Sequence, residues 1–267
     1  LLKARCQQHI GQIRLSGNMS TKGTKDSIAL VWCDNGMVDG KFMQGVADVM
    51  LKSGVEFATT LRSQGNQIGR QRQTVFDYWY DKTDYEWLFW VDSDVVISPE
   101  KFRLLWDNRD AEKRPMITGV YFTTDNPEEP LMVPMPTLFS FVANEDGGFG
   151  LARVHPMPQN QLIKIDAAGM GFILMHRSIV PKVREVAIDK VVFMEMGRGK
   201  KFIGEDIFFF ALCDKAEVPL YAHTGATAPH MKRFSFDEHY YQAFFGKPKE
   251  EPKSKLITPD KKIITPR

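Results

Sequence analysis

Cysteine is scarce in this chain: Cys6, Cys33 and Cys213 are the only three in 267 residues. The number is odd and no two stand at metal-ligand spacing. This predicts reduced thiols in a reducing compartment, hence a cytoplasmic location, rather than a disulfide scaffold. Long apolar runs are lacking too. None approaches the ~18 residues of a membrane span, and no signal-peptide pattern opens the chain. Charge of one sign is also missing: 35 basic and 33 acidic residues leave a formal net charge of +2. No global field therefore marks a nucleic-acid or membrane binder. A nucleic-acid partner is not indicated, although a local basic patch would escape that argument. Several catalytic signatures are absent as well. There is no Gly-x-x-x-x-Gly-Lys-Ser/Thr loop, no Gly-x-Ser-x-Gly elbow, no His-Glu-x-x-His and no Cys-x-x-Cys.

An apolar fraction of 43% is present instead, which fits a globular core in one large domain or two small ones. Its most informative piece is Trp87-Leu88-Phe89-Trp90-Val91-Asp92-Ser93-Asp94, five apolar residues running into two carboxylates one residue apart. A continuous apolar run reads as a strand buried on both faces. Ligands of open α/β sheets bind at the carboxyl ends of such strands. Asp92 and Asp94 therefore fit a divalent-cation site. The alternative is a strand-end turn whose side chains accept from backbone amides.

Around that run, 27–32 reads as a first strand ending at Cys33-Asp34-Asn35-Gly36. Phe42, Val46, Val49 and Met50 follow at helical spacing, with Gly54 closing the helix. A strand is expected over 55–60, a helix over 67–80 and, after the Ser98-Pro99 helix start, a helix lined by Phe102, Leu105 and Trp106. Further strands are expected over 116–122, 171–175 and 220–223, and further helices over 178–186 and 205–215. The Pro- and Gly-rich stretch 123–163 reads as hairpins and loops over the sheet. This βαβαβ order predicts an α/β sheet with nucleotide-binding character. Residues 1–26 read as an N-terminal extension, in which Met19-Ser20-Thr21-Lys22 looks like a native start and 1–18 like an added segment. Residues 27–246 read as a single domain and 247–267 as a Lys/Pro-rich tail or linker.

One helix position departs from its pattern. At 100° per residue, Ile68, Val75 and Trp79 share a face, and Arg72 falls within about 40° of Ile68, while Arg70 points nearly opposite. An arginine on a core-facing stripe is expensive unless paired. It either pairs with a structural acid or reaches the strand ends to meet a carboxylate or an anionic ligand. Asp34 and Asn35 fit contact with a nucleotide base or a plain turn. Arg198, Lys200 and Lys201 fit a loop closing over a diphosphate or a solvated charge run. Phe234, Phe236, Tyr240, Tyr241, Phe244 and Phe245 fit helix packing or an acceptor platform.

The ordered set of Asp92-Ser93-Asp94, Gly169-Met170-Gly171-Phe172, Gly204-Glu205-Asp206 and His230 resembles the nucleotide-sugar glycosyltransferases of the GT-A fold, especially the family 2-like group, over about residues 27–232. Two departures stand out. Gly69-Arg70-Gln71-Arg72-Gln73 replaces the Ala-Arg-Asn often seen there, so both arginines stand as donor-binding candidates, and Met170 splits the glycine pair. The resemblance implies a GT-A type, Rossmann-like mixed sheet flanked by helices. It further implies transfer of a sugar from a UDP- or GDP-sugar to an acceptor hydroxyl with Mn²⁺ or Mg²⁺, with inversion. Asp94, Asp92 and His230 would form the metal site, His223 competing with His230. Asp92 would also meet the ribose or a metal-bound water, and with Ser93 the donor. Gly169, Gly171 and Phe172 would line the acceptor or sugar pocket. Asp206 would act as general base, with Glu205 beside it. Acids opening a helix are also favoured by its dipole without any catalytic role. The acceptor is not readable. Two rival chemistries use the same acids: a nucleotidyltransferase acting on nucleoside triphosphates, and a two-metal nuclease-like phosphodiesterase built on Asp92, Asp94, Glu205 and Asp206. A catalytically silent binding module with the same fold is the third alternative.

Overall fold

A computed structural model of the protein describes residues 14–15, 26–124, 133–143, 149–198 and 201–232. The chain divides into two units, 1–123 with 134–232, and 124–133 with 233–267. All elements named below belong to the first unit. The domain end expected at 246 and the aromatic group 234–245 lie outside the described residues.

The strands, in chain order, are β1 (Arg14–Leu15), β2 (Ile28–Asp34), β3 (Phe57–Gln64), β4 (Trp87–Val91), β5 (Met116–Val120), β6 (Phe122–Thr123), β7 (Met135–Pro136), β8 (Leu138–Ala143), β9 (Phe149–Arg153), β10 (Leu162–Ile165), β11 (Ala167–Ala168), β12 (Phe172–His176), β13 (Met196–Arg198), β14 (Lys201–Ile203) and β15 (Leu220–Thr227). The helices are α1 (Gly40–Lys52), α2 (Ile68–Lys82), α3 (Pro99–Asn108), α4 (Ile179–Val186) and α5 (Glu205–Lys215). Capping follows the sequence chemistry. Asp39 accepts from the Lys41 N–H at the start of α1, Gly54 takes a left-handed φ of 71° just past its end, and Ser98 caps α3 with Pro99 in its first turn.

Eight strands form one mixed sheet in the order β1-β3-β2-β4-β12-β5-β15-β10. β2 runs parallel to β3 and β4, β12 runs antiparallel to both β4 and β5, and β15 runs parallel to β5. Every residue of β2 and β4 is buried, and the two-residue period of a strand splits each run between two cores. Val31, Leu88 and Trp90 join Val75, Phe76 and Trp79 of α2, Val180 and Val183 of α4, and Phe209 and Phe210 of α5. Leu30, Trp87 and Phe89 join Phe42, Val46 and Val49 of α1 and Phe102 and Leu105 of α3 on the opposite face. The result is an α/β sheet covered by helices on both faces. Among the described residues no helix is long and apolar enough to cross a membrane.

Several bounds differ from the sequence-based expectation. β3 extends to Gln64, because its later residues pair with β2 as far as Asp34. β15 extends to Thr227, so the polar stretch after His223 is strand, paired at its end with Val120. The 116–122 run is interrupted: β5 ends at Val120, and Phe122–Thr123 pairs with Met135–Pro136 in a separate sheet. The stretch 123–163 contains the β8–β9 hairpin, but its last strand, β10, extends from Leu162 and is an edge of the main sheet. Arg14–Leu15, within the expected extension, pairs with Leu61 and Arg62 at the other edge.

Gly119 in β5 is fixed by packing. A Cβ there would lie 2.2 Å from the Phe172 ring and 2.6 Å from the Ala226 carbonyl oxygen, so neighbouring strands carry the bulk that it omits. Gly119→Ala is expected to cost about 1–3 kcal/mol by overpacking. A lowered urea midpoint would show this, and an unchanged midpoint would mean that Phe172 moves aside freely.

Candidate functional site

Strand order reverses at β2, with β3 on one side and β4 on the other, and such a switch point leaves a crevice at the carboxyl ends of the strands. Asp34 ends β2, and Asp92-Ser93-Asp94 turns directly after β4, with the Val95 N–H donating to the Asp92 carbonyl at 2.9 Å. Ser93 is half-buried in that turn. The Asp34 carboxylate is fully engaged. It accepts from Arg62 Nε at 2.6 Å, Arg62 Nη2 at 2.7 Å, the Gly36 N–H at 2.7 Å and Trp32 Nε1 at 2.9 Å. Burial raises its pKa, but these donors outweigh burial and hold it below the usual carboxylate value. Asn35 is exposed and accepts from the Met37 N–H, a turn contact.

Arg72 rather than Arg70 enters the site. Arg70 is exposed, whereas Arg72 is buried, with Nη1 2.6 Å from Glu205 Oε1 and Nη2 3.0 Å from both oxygens of Asp92. Close packing of two helix starts brings this about. A Cβ on Gly69 would sit 3.3 Å from Glu205 Cβ, so the glycine one turn before Arg72 lets α2 and α5 approach. Glu205 is therefore the partner of a buried guanidinium, where the sequence placed it among the catalytic acids.

The antiparallel course of β12 places the glycine segment at the same end. Phe172 pairs with Val91, and the Asp92 N–H donates to the Gly171 carbonyl at 3.1 Å. Phe172 itself points into the core against Phe89 rather than into a pocket. The glycines make room for Tyr121, a residue that sequence reasoning missed. A Cβ on Gly169 would lie 2.0 Å from the Tyr121 hydroxyl, and one on Gly171 3.0 Å from both Tyr121 Cε1 and Asp92 Oδ2. The Gly171 N–H donates to that hydroxyl at 3.3 Å, and the Tyr121 ring stands edge-on to His230 with centroids 4.9 Å apart. An aromatic residue just past a buried strand looks like ordinary core, so no signal marked it.

Backbone pairing brings the distant His230 to Asp94. The Val96 N–H donates to the Pro229 carbonyl, His230 bridges to Val95, and the Met231 N–H donates to the Asp94 carbonyl at 2.7 Å. His230 Nδ1 lies 2.8 Å from the Phe122 carbonyl, and Nε2 lies 3.1 Å from Asp94 Oδ2. Both ring nitrogens thus face oxygen acceptors, and the Phe122 carbonyl fixes the ring so that Nε2 is turned towards the carboxylate. Lys232 Nζ lies 3.0 Å from the same Asp94 oxygen. Burial raises the Asp94 pKa, but His230 and Lys232 outweigh it and bring it down to about 2. His223 lies elsewhere, in β15, with Nδ1 accepting from the Gly225 N–H.

Asp206 opens α5 and accepts from the Ile207 N–H at 2.8 Å. Burial raises its pKa, against the lowering effect of Arg72. Met196–Arg198 and Lys201–Ile203 form an antiparallel pair just before α5, and Lys200, one of the three basic residues read as a loop or a solvated charge run, lies outside the described residues. Among the described residues no group of three His, Cys, Asp or Glu side chains is placed to hold a metal ion. Of the expected set of Asp92, Asp94 and His230, Asp92 is engaged by Arg72. The remaining pair, Asp94 and His230, is the donor set that a cation would use. Their 3.1 Å separation matches the roughly 3 Å between adjacent ligands about 2.1 Å from an octahedral ion. The Nδ1 contact to the Phe122 carbonyl is the outer support that ligating histidines use.

No family model and no curated protein matches the sequence. Among solved structures, GalNAc-T7 with UDP, GalNAc and Mn²⁺ aligns with 82% of this chain at 9% identity and a TM-score of 0.50, and the chain spans 47% of that one. A197 from STIV aligns over 78% of this chain and 86% of its own at 19% identity, with a TM-score of 0.46. At 9% identity the first likeness shows the fold: a mixed α/β sheet flanked by helices, similar to the GT-A glycosyltransferase fold.

Removing one member of a buried ion cluster is costly, because its partners stay buried and unpaired. Arg72→Met is expected to lower the stability of the fold by about 3–5 kcal/mol, with part recovered by adding Glu205→Gln. Denaturant titration of the single and double variants checks this; additive losses would mean that Arg72 and Glu205 are not coupled.

Proposed function

We propose that this chain is a divalent-metal-dependent glycosyltransferase that moves a sugar from a nucleotide-diphosphate donor to an acceptor hydroxyl with inversion. The observation carrying the reading is the Asp94–His230 pair, closed by backbone pairing across 136 residues at the carboxyl end of a fully buried strand. The fold likeness to a glycosyltransferase structure holding UDP and Mn²⁺ supports it. Mn²⁺ or Mg²⁺ bound there supplies charge neutralisation for the departing nucleoside diphosphate. UDP- and GDP-sugars are the leading donors.

The chain's own residues then divide the work. Asp94 and His230 Nε2 would hold the cation, and the Phe122 carbonyl fixes the imidazole. Asp206 accepts the proton of the acceptor hydroxyl as its oxygen bonds to the anomeric carbon and the bond to the diphosphate breaks. Burial of Asp206, which raises its pKa, suits it to that task. Arg72 positions Asp92 and Glu205. This arrangement disfavours a two-metal nuclease on Asp92, Asp94, Glu205 and Asp206, since a guanidinium already bridges two of those acids.

Calorimetric titration with UDP and GDP, each with Mn²⁺ and again with chelator, is expected to show binding of one diphosphate that depends on metal. Binding of neither would overturn the reading and favour triphosphates or nucleic acid as ligands. Asp206→Asn is expected to keep donor binding and lose transfer. The base works deprotonated, so kcat/KM of the unmodified protein should fall as pH drops through a pKa above the ordinary aspartate value. An acid limb at the ordinary value, or normal transfer by the variant, would remove Asp206 as base.

A further inference from the structure

The outer carboxylate of the site carries one more cation than the proposed chemistry requires. Lys232 Nζ at 3.0 Å and His230 Nε2 at 3.1 Å both address Asp94 Oδ2. Backbone register enforces this. His230 bridges to Val95 and the Met231 N–H donates to the Asp94 carbonyl, so the segment runs extended along the Asp-Ser-Asp turn. In an extended chain residues i and i+2 project to the same side, which puts Lys232 beside His230. The two side chains differ in freedom. His230 is 10% exposed and held at Nδ1, whereas Lys232 is 55% exposed.

An ammonium and a divalent cation cannot share one carboxylate oxygen without strong like-charge repulsion at contact distance. The lysine side chain is long enough to leave while its backbone stays in place, and the ligand beside Asp94 would then be a diphosphate, an oxygen-rich anion suited to a lysine point charge. The geometry points to Lys232 as an exchangeable counter-ion: it holds Asp94 until a divalent cation displaces it and then transfers to the diphosphate of the donor. The lysine thus couples the two ligands. Metal alone must break the Lys232–Asp94 contact without giving the ammonium a partner, while metal with diphosphate supplies one. This inference rests on the metal-and-donor reading of the site.

The test is calorimetry on the full chain and on Lys232→Met, a change at a half-exposed side chain, with MnCl₂ alone and then with UDP and GDP in saturating Mn²⁺. The variant is expected to bind Mn²⁺ alone about tenfold more tightly, the order of one unit charge removed near a surface, and to bind the diphosphate more weakly. Lys232→Arg should keep the coupling between metal and diphosphate. If the full chain binds Mn²⁺ and a diphosphate but Lys232→Met binds Mn²⁺ no more tightly, the counter-ion role falls and the site reading stands. Unchanged diphosphate affinity in the variant would overturn the transfer step. If the full chain binds neither ligand, both fall together.

Discussion

Arg72 sits buried between the end of β4 and the start of α5, and its guanidinium contacts Asp92 and Glu205, residues separated by 113 positions in sequence (205 − 92). A charge in that position costs several kcal/mol of desolvation unless it is paired and hydrogen-bonded. Two carboxylates supply the pairing, and the first turn of α5, where Glu205 lies, favours negative charge through the helix dipole. The cluster is thus a point at which three segments must agree. If α2 rotates, Arg72 leaves Asp92. If α5 shifts, Glu205 is a buried anion without its cation. Asp94 and Asp206 are next to the two acids so fixed, which is how a structural ion cluster sets the position of the groups proposed to do chemistry.

Close packing does the same for the rest of the crevice. Tyr121 fills the space that side chains at Gly169 and Gly171 would need, and its ring supports His230 from the side. Met170, between the glycines, is buried in the core on the α2 and α5 face. The segment therefore reads as a packing device, in which two residues lack side chains because a phenol ring and the Asp92 carboxylate occupy their places. The antiparallel direction of β12 is essential to this. Only a strand entering the sheet beside the carboxyl end of β4 can put its first residues against Asp92.

Much of this was legible in the sequence where a local pattern had one physical meaning. The 87–91 run is a doubly buried strand because apolar residues at both parities demand cover on both faces. Ser98-Pro99 starts a helix because the hydroxyl caps and the ring pre-sets the backbone. Arg72 was identifiable as an anomaly from its angle on the helix, and its neighbour Arg70 as solvent-facing. What stayed hidden depends on register and on long-range closure. Asp34 fitted a base contact or a turn, with nothing to show its partner; the parallel pairing of β2 with β3 sets Arg62 opposite Trp32, and from there it closes on Asp34. Glu205 fitted a catalytic acid and a plain helix start alike, because helix-opening acids share one appearance whether they face a ligand or a buried arginine. Lys232 looked like any surface lysine, since nothing local predicts that residues 230–232 run along a turn made 136 residues earlier.

The two anionic centres of the crevice differ in what they can exchange. Asp92 meets Arg72 with both oxygens, and the guanidinium is buried with its second partner, so replacing it would leave an uncompensated charge inside the fold. Asp94 is 42% exposed and meets one fixed imidazole and one exposed ammonium through a single oxygen. Losing the ammonium to solvent or to a phosphate costs little, because its hydration is recovered. The proposed function would draw on this asymmetry: one acid locked, so that the geometry survives each cycle, and one acid whose cation could be traded. Two carboxylates separated by a single serine achieve it because strand alternation ends at Val91, and the turn that follows aims Asp92 towards α2 while Asp94 faces the returning chain.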